Sequence, residues 1–138
     1  MNHEGIAGSI ARHGNRGFDF QSVNHSRFRA DIFLERTHQR GIWIGTGKDT
    51  SELTLKNYSD IKIGDLILTS GLKQKFPSHI PIGFVKHLEY SSNGLANKIK
   101  VEPLVNFDNI QYVYVLLNNS TLNNKEISLK WVAHYTKT

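Results

Sequence analysis

Seven histidines, a serine inside a Thr-Ser-Gly run and twelve carboxylates are the side chains of this 138-residue chain with the means to do chemistry. His3, His13, His25, His38, His79, His87 and His134 fall eight or more residues apart. That spacing contains no His-x-His pair, no HExxH motif and no compact carboxylate-histidine cluster, so no metal ligand set is visible. Ser70 stands between Thr69 and Gly71, but neither the Gly-x-Ser-x-Gly elbow nor the Gly-Asp-Ser-Gly-Gly run of serine hydrolases surrounds it. A protease-like Ser, His and Asp cluster could arise only through the fold, because triads are defined by geometry rather than order. The chain has no cysteine, which removes thiol nucleophiles, disulfides, zinc-cysteine clusters and CxxC redox chemistry. It also has no phosphate-cradling glycine loop. The reading is a non-enzymatic chain with no cofactor and no metal.

Charge points to a partner of another kind. Lys+Arg number 17 against 12 Asp+Glu, for a formal charge of +5. All six arginines (Arg12, Arg16, Arg27, Arg29, Arg36, Arg40) lie in the first 40 residues, and the lysines begin at Lys48. Arginine pairs bidentately with carboxylates and phosphates, so the first third could present a basic face to an anionic partner. A small basic β-barrel that binds single-stranded nucleic acid through exposed aromatics is one reading of that face. No helix-turn-helix, zinc-finger or RNP-type pattern supports it, and an ordinarily solvated surface is the plainer reading.

The elements that must position these residues are strands. Phe28 to Glu35 alternates, with Phe28, Ala30, Ile32 and Leu34 on one parity and Arg29, Asp31, Phe33 and Glu35 on the other, as in a half-buried strand. Ile42-Trp43-Ile44 follows and predicts a hairpin. Leu53 to Leu55 and Leu66 to Leu68 are short strands. Ile82 to Tyr90 and the alternating stretch around Ile99 and Val101 form a second hairpin across a loop with Asn93-Gly94. Tyr112 to Leu117 is apolar or aromatic on both parities, and Ile127, Leu129 and Trp131 alternate with polar residues as a last strand. No window of 11 residues has helical periodicity. The prediction is an all-β chain of short antiparallel strands with little helix, in two small barrel-like subdomains. No apolar run approaches the ~20 residues of a membrane helix.

Two aromatic groups are candidates for partner binding. If the first hairpin pairs Leu34 with Ile42 and Ile32 with Ile44, then Phe33 falls opposite Trp43 on the face that carries Arg29. Such a pair is either cross-strand packing or an exposed interface patch. Tyr112 and Tyr114, which share a parity with Leu116, pose the same choice.

A run of motifs carries a family resemblance. Gly64-Asp65 enters Thr69-Ser70-Gly71, followed by Phe76-Pro77, Pro81 with Gly83, Ile99 to Pro103, and Asn106-Phe107. In order and distance this resembles the C-terminal β region of the rod shape-determining protein MreC, and Gly5, Gly8, Gly41 and Gly45 fit the family's earlier glycines more loosely. Read physically, these residues are structural: glycines suit positions that a Cβ would strain, Thr69 and Ser70 hydroxyls bond the local backbone, and Pro77 and Pro81 belong at strand starts or edges. The resemblance implies an MreC-like region over 1–117, as two interlocked β subdomains that divide near 45–60, and a polar tail over 118–138 with an extra strand. It further implies a periplasmic scaffold of the cell-elongation complex, held to the inner membrane by one N-terminal helix that this chain lacks. Its implied partners are a peptidoglycan transpeptidase of the penicillin-binding type, which it binds and activates, other elongation-complex membrane proteins, and further copies of itself. Nucleic acid is not among them.

Overall fold

The computed structural model describes the backbone of residues 2–12, 17–56, 60–72, 76–92, 94, 96–105, 112–117 and 129–137, with side-chain surroundings over 5–9, 17, 19–56, 60–72, 76–92, 94 and 97–105. Asn93, the Asn106-Phe107 pair, residues 118–128 and the side chains of 2–4, 10–12, 112–117 and 129–137 lie outside the described residues. The chain is all β, and the described residues include no α-helix. Among the described residues, no helix is long and apolar enough to cross a membrane.

The ten strands among the described residues divide into two units. Strands β3 (Arg29–Leu34), β4 (Arg40–Ile44), β5 (Ser51–Leu55), β6 (Leu66–Thr69), β7 (Pro81–Tyr90) and β8 (Ala96–Pro103) close a barrel in the order β3-β4-β5-β8-β7-β6. Strands β1 (Asn2–Arg12), β2 (Phe18–Ser22), β9 (Tyr112–Leu117) and β10 (Leu129–Lys137) make a four-stranded sheet in the order β2-β1-β10-β9. All pairings are antiparallel. The last strand therefore runs beside the first, although the two ends of the chain show no shared pattern in sequence.

Alternation fills the barrel as the apolar parities require. Ala30, Ile32 and Leu34, then Leu53 and Leu55, Ile67, Val85, Ile99 and Val101 are buried in one core cluster that also takes in Ile6 and Val23 from the sheet unit. Closure removes every free edge from the barrel, while the sheet keeps the outer edges of β2 and β9.

The β3–β4 hairpin forms in a register different from the expected one. Phe33 pairs with Arg40, Asp31 with Ile42 and Ala30 with Trp43, a shift of three residues. The cause is a tighter reversal. Leu34 N–H bonds Gln39 O at 2.9 Å and His38 N–H bonds Leu34 O at 2.8 Å, with His38 at a left-handed φ of 61°. A shift by an odd number turns every β4 side chain to the other face relative to β3. Trp43 therefore points inward beside Ala30, fully buried, and not outward beside Phe33. The expected Phe33–Trp43 surface pair does not form.

Candidate functional site

The family motifs converge on the β6–β7 side of the barrel. Asp65, 7% exposed, accepts bidentately from Arg36 Nε at 2.8 Å and Nη2 at 2.9 Å, and its Oδ2 also accepts the Lys62 N–H at 2.9 Å. Burial alone would push this carboxyl up. The Arg36 hydrogen bonds, the Lys62 N–H and the neighbouring positive charge outweigh burial and hold it below the ordinary carboxylate value. The Arg36 guanidinium, whose proton these bonds to Asp65 and Asp60 hold more tightly, is raised further above its already high value. Arg36 also reaches Asp60 Oδ1 at 3.0 Å, so the β3–β4 turn is tied to the approach of β6.

One step along, the buried Thr69 hydroxyl donates to Pro77 O at 2.5 Å and accepts the Ile80 N–H at 3.0 Å. It pins the loop between β6 and β7. Ser70 Oγ accepts the Leu72 N–H at 3.2 Å, which closes a turn with the hydroxyl in a local structural bond. Gly71 follows at φ 76°, where an added Cβ would also meet the Ser78 Cβ at 2.8 Å. Phe76 is buried against Phe28, ring centroids 5.9 Å apart, while Pro77 stays exposed in the loop. Gly64 has φ 92°. Pro81 starts β7 opposite Leu68, where the register shifts. At Gly83 a Cβ would lie 2.3 Å from Glu102 O and 2.6 Å from the Trp43 ring. The indole occupies the barrel interior because this position has no side chain.

The candidate partner residues are spread over different surroundings. Arg29 is exposed at the start of β3, its Nη1 donating to Ser26 O at 2.9 Å and Phe28 O at 2.8 Å. Phe33 faces outward, in register with exposed Arg40 on one side and Leu68 on the other, yet is only 9% exposed. His38 stacks on its ring at 6.0 Å and His79 meets it edge-on at 5.1 Å. These are the two non-glycine residues with left-handed φ among those described. Trp43 leaves the candidate set, since it is fully buried and its Nε1 donates to Val23 O at 2.8 Å. Tyr112 and Tyr114 lie on edge strand β9, opposite Tyr135 and Ala133 of β10, and their side chains lie outside the described residues. Sequence reasoning missed the exposed Ile42, which sits in register between Asp31 and Thr54 on the same outer face. Its signal was the hairpin register, which residue types alone left undetermined.

Across β5, β8 and β7 the outer face carries Lys98–Glu52 (3.3 Å), Lys100–Glu89 (3.6 Å) and Lys86–Glu102 (3.2 Å) pairs. Alternating signs make a poor track for a phosphate backbone. Among the described residues, no three His, Asp or Glu side chains gather as a metal site would need.

The family model for the barrel core of the rod shape-determining protein MreC matches residues 1–117. The chain belongs to the MreC family. It is 30% identical over 122 residues to the cell shape-determining protein MreC of Haemophilus influenzae, covering 84% of this chain and 34% of that protein. The chain thus spans about a third of that relative's length. Two solved structures share the fold at low identity. One is the complex between the penicillin-binding protein PBP2 and MreC from Helicobacter pylori (TM-score 0.57, 17% identity, 97% of this chain and 78% of that one). The other is the major periplasmic domain of the cell shape-determining filament MreC (TM-score 0.59, 16% identity, 99% of this chain and 77% of that one). Of the Gly64-to-Gly83 motif residues in this MreC chain, Gly83 is the one against which the Trp43 ring packs.

Proposed function

We propose that this MreC chain is a non-enzymatic scaffold that docks a penicillin-binding transpeptidase and raises its active fraction. The observation that carries the reading is the family match across the barrel, together with the solved complex of an MreC relative with PBP2. The β3–β4 outer face is the favoured contact. It offers Arg29, Arg40 and exposed Ile42 around the covered Phe33 ring, which combines cationic and apolar groups as interface cores do. Strand addition, where it occurs, is confined to β2 or β9, because the barrel has no edge to give. Tyr112 and Tyr114 on β9 are the second candidate contact. Activation follows if the chain binds an extended form of the enzyme better than its resting form. In this reading the barrel works in the periplasm, held to the inner membrane by the N-terminal helix of the full-length protein. It meets the other elongation-complex membrane proteins there, and further copies of itself.

The single-stranded nucleic acid reading loses its main support at the site. Of its three ring-stacking residues, Phe33 is covered by two histidines and Trp43 is inside the barrel, while the Tyr112 side chain lies outside the described residues. The test is titration of the cognate transpeptidase with the chain, following both binding and glycan-peptide cross-linking. Arg29→Glu and Ile42→Asp should each weaken binding by about tenfold, in line with loss of an interface anchor. Full binding by both variants, or binding with unchanged transpeptidase activity, would contradict the respective half of the proposal.

A further inference from the structure

Val23 joins the two units with every group it has. It directly follows β2, and its N–H donates to Ala7 O of β1 at 3.0 Å, on the sheet side. Its C=O accepts the Trp43 indole N–H at 2.8 Å from the barrel side, with the Ser51 hydroxyl 3.2 Å away. Its side chain is fully buried and belongs to the barrel core beside Ile6 of β1. The geometry points to a latch: the Val23 backbone, gripped by the Trp43 indole, sets the angle at which the four-stranded sheet sits on the barrel.

The Trp43 ring packs onto the Gly83 backbone, where a Cβ would lie 2.6 Å from it, and its buried N–H is satisfied by the Val23 carbonyl. Trp43 is thus a positioning residue rather than a contact residue. A partner that spans sheet and barrel reads the angle this latch sets, but the latch exists whether or not such a partner binds.

The chain contains no cysteine, so spin labels can be placed cleanly at exposed Phe20 on the sheet and exposed Thr54 on the barrel, as Phe20→Cys with Thr54→Cys. Pulsed electron resonance distances and amide exchange at Val23 are then compared among the parent, Trp43→Phe and the core control Val85→Ala. Trp43→Phe should broaden the distance distribution and speed Val23 exchange by up to about tenfold, the effect of one net hydrogen bond. Val85→Ala removes barrel packing but none of the hydrogen bonds to Val23, and should leave the distribution narrow. A narrow distribution in Trp43→Phe, or equal broadening in Val85→Ala, overturns the latch. If Trp43→Phe does not fold, exchange of the Trp43 indole N–H in the parent decides: protection comparable to that of the Val23 amide supports the latch, and fast exchange overturns it.

Discussion

At the scale of residues, Gly83 and Trp43 form one structural decision. The indole fills the interior of a six-stranded barrel only because Gly83 leaves a gap against it. Gly83→Ala should destabilise the chain by about 1–3 kcal/mol through overpacking, read as a lower urea midpoint with unchanged slope. Asp65 gives a pH-dependent expectation. Its pKa is depressed in the fold, so its contribution is full above the ordinary carboxyl value near 3.8 and is lost as pH falls through the lower folded value. Asp65→Asn should therefore be less stable than the parent near neutral pH, and the difference should shrink toward about pH 3. An equal difference at both pH values would show that the pair with Arg36 is not its source. The importance of both positions was legible as a motif, since Gly64-Asp65 and Pro81 with Gly83 stand out by type and spacing. The reason for Gly83 was not, because Trp43 lies 40 residues away and meets it only after the barrel closes.

At the scale of elements, β3 to β8 lie where the sequence put them and the apolar parity of β3 was readable, whereas β4 was read with Ile42 and Ile44 inward and the structure turns Trp43 inward instead. Register was not readable. Both hairpin alignments bury apolar residues from β3, and only the five-residue turn with left-handed His38 selects the one that sends Trp43 inward. The sheet unit was harder still. Its pairing of β1 with β10 joins the two ends of the chain, and no local pattern reports so distant a partner. The β6–β7 connection offers a test. Thr69→Val keeps the shape but strands the Ile80 N–H and frees Pro77, so it should cost about 1–3 kcal/mol and raise proteolytic nicking between Gly71 and Ile80. Unchanged stability would mean that Phe76 packing and the backbone bonds of Thr69 with His79 and Ile80 hold the loop without the hydroxyl.

At the scale of the whole molecule, a closed barrel with an open sheet separates stability from sociability. The barrel buries its strand hydrogen bonds in a ring, leaving side chains as its means of contact, while the sheet retains two edges. Binding of a transpeptidase should accordingly be sensitive to side-chain changes on β3–β4 and insensitive to Lys98→Ala or Lys100→Ala, whose charges are already matched by Glu52 and Glu89. The measurement that tests the central claim most directly is hydrogen exchange of the chain with and without its cognate transpeptidase. Slowed exchange over 29–34 and 40–44, with or without 112–117, is the expected result. Protection confined to β5, β7 and β8, or no protection at saturating enzyme, would contradict the assignment of the β3–β4 face.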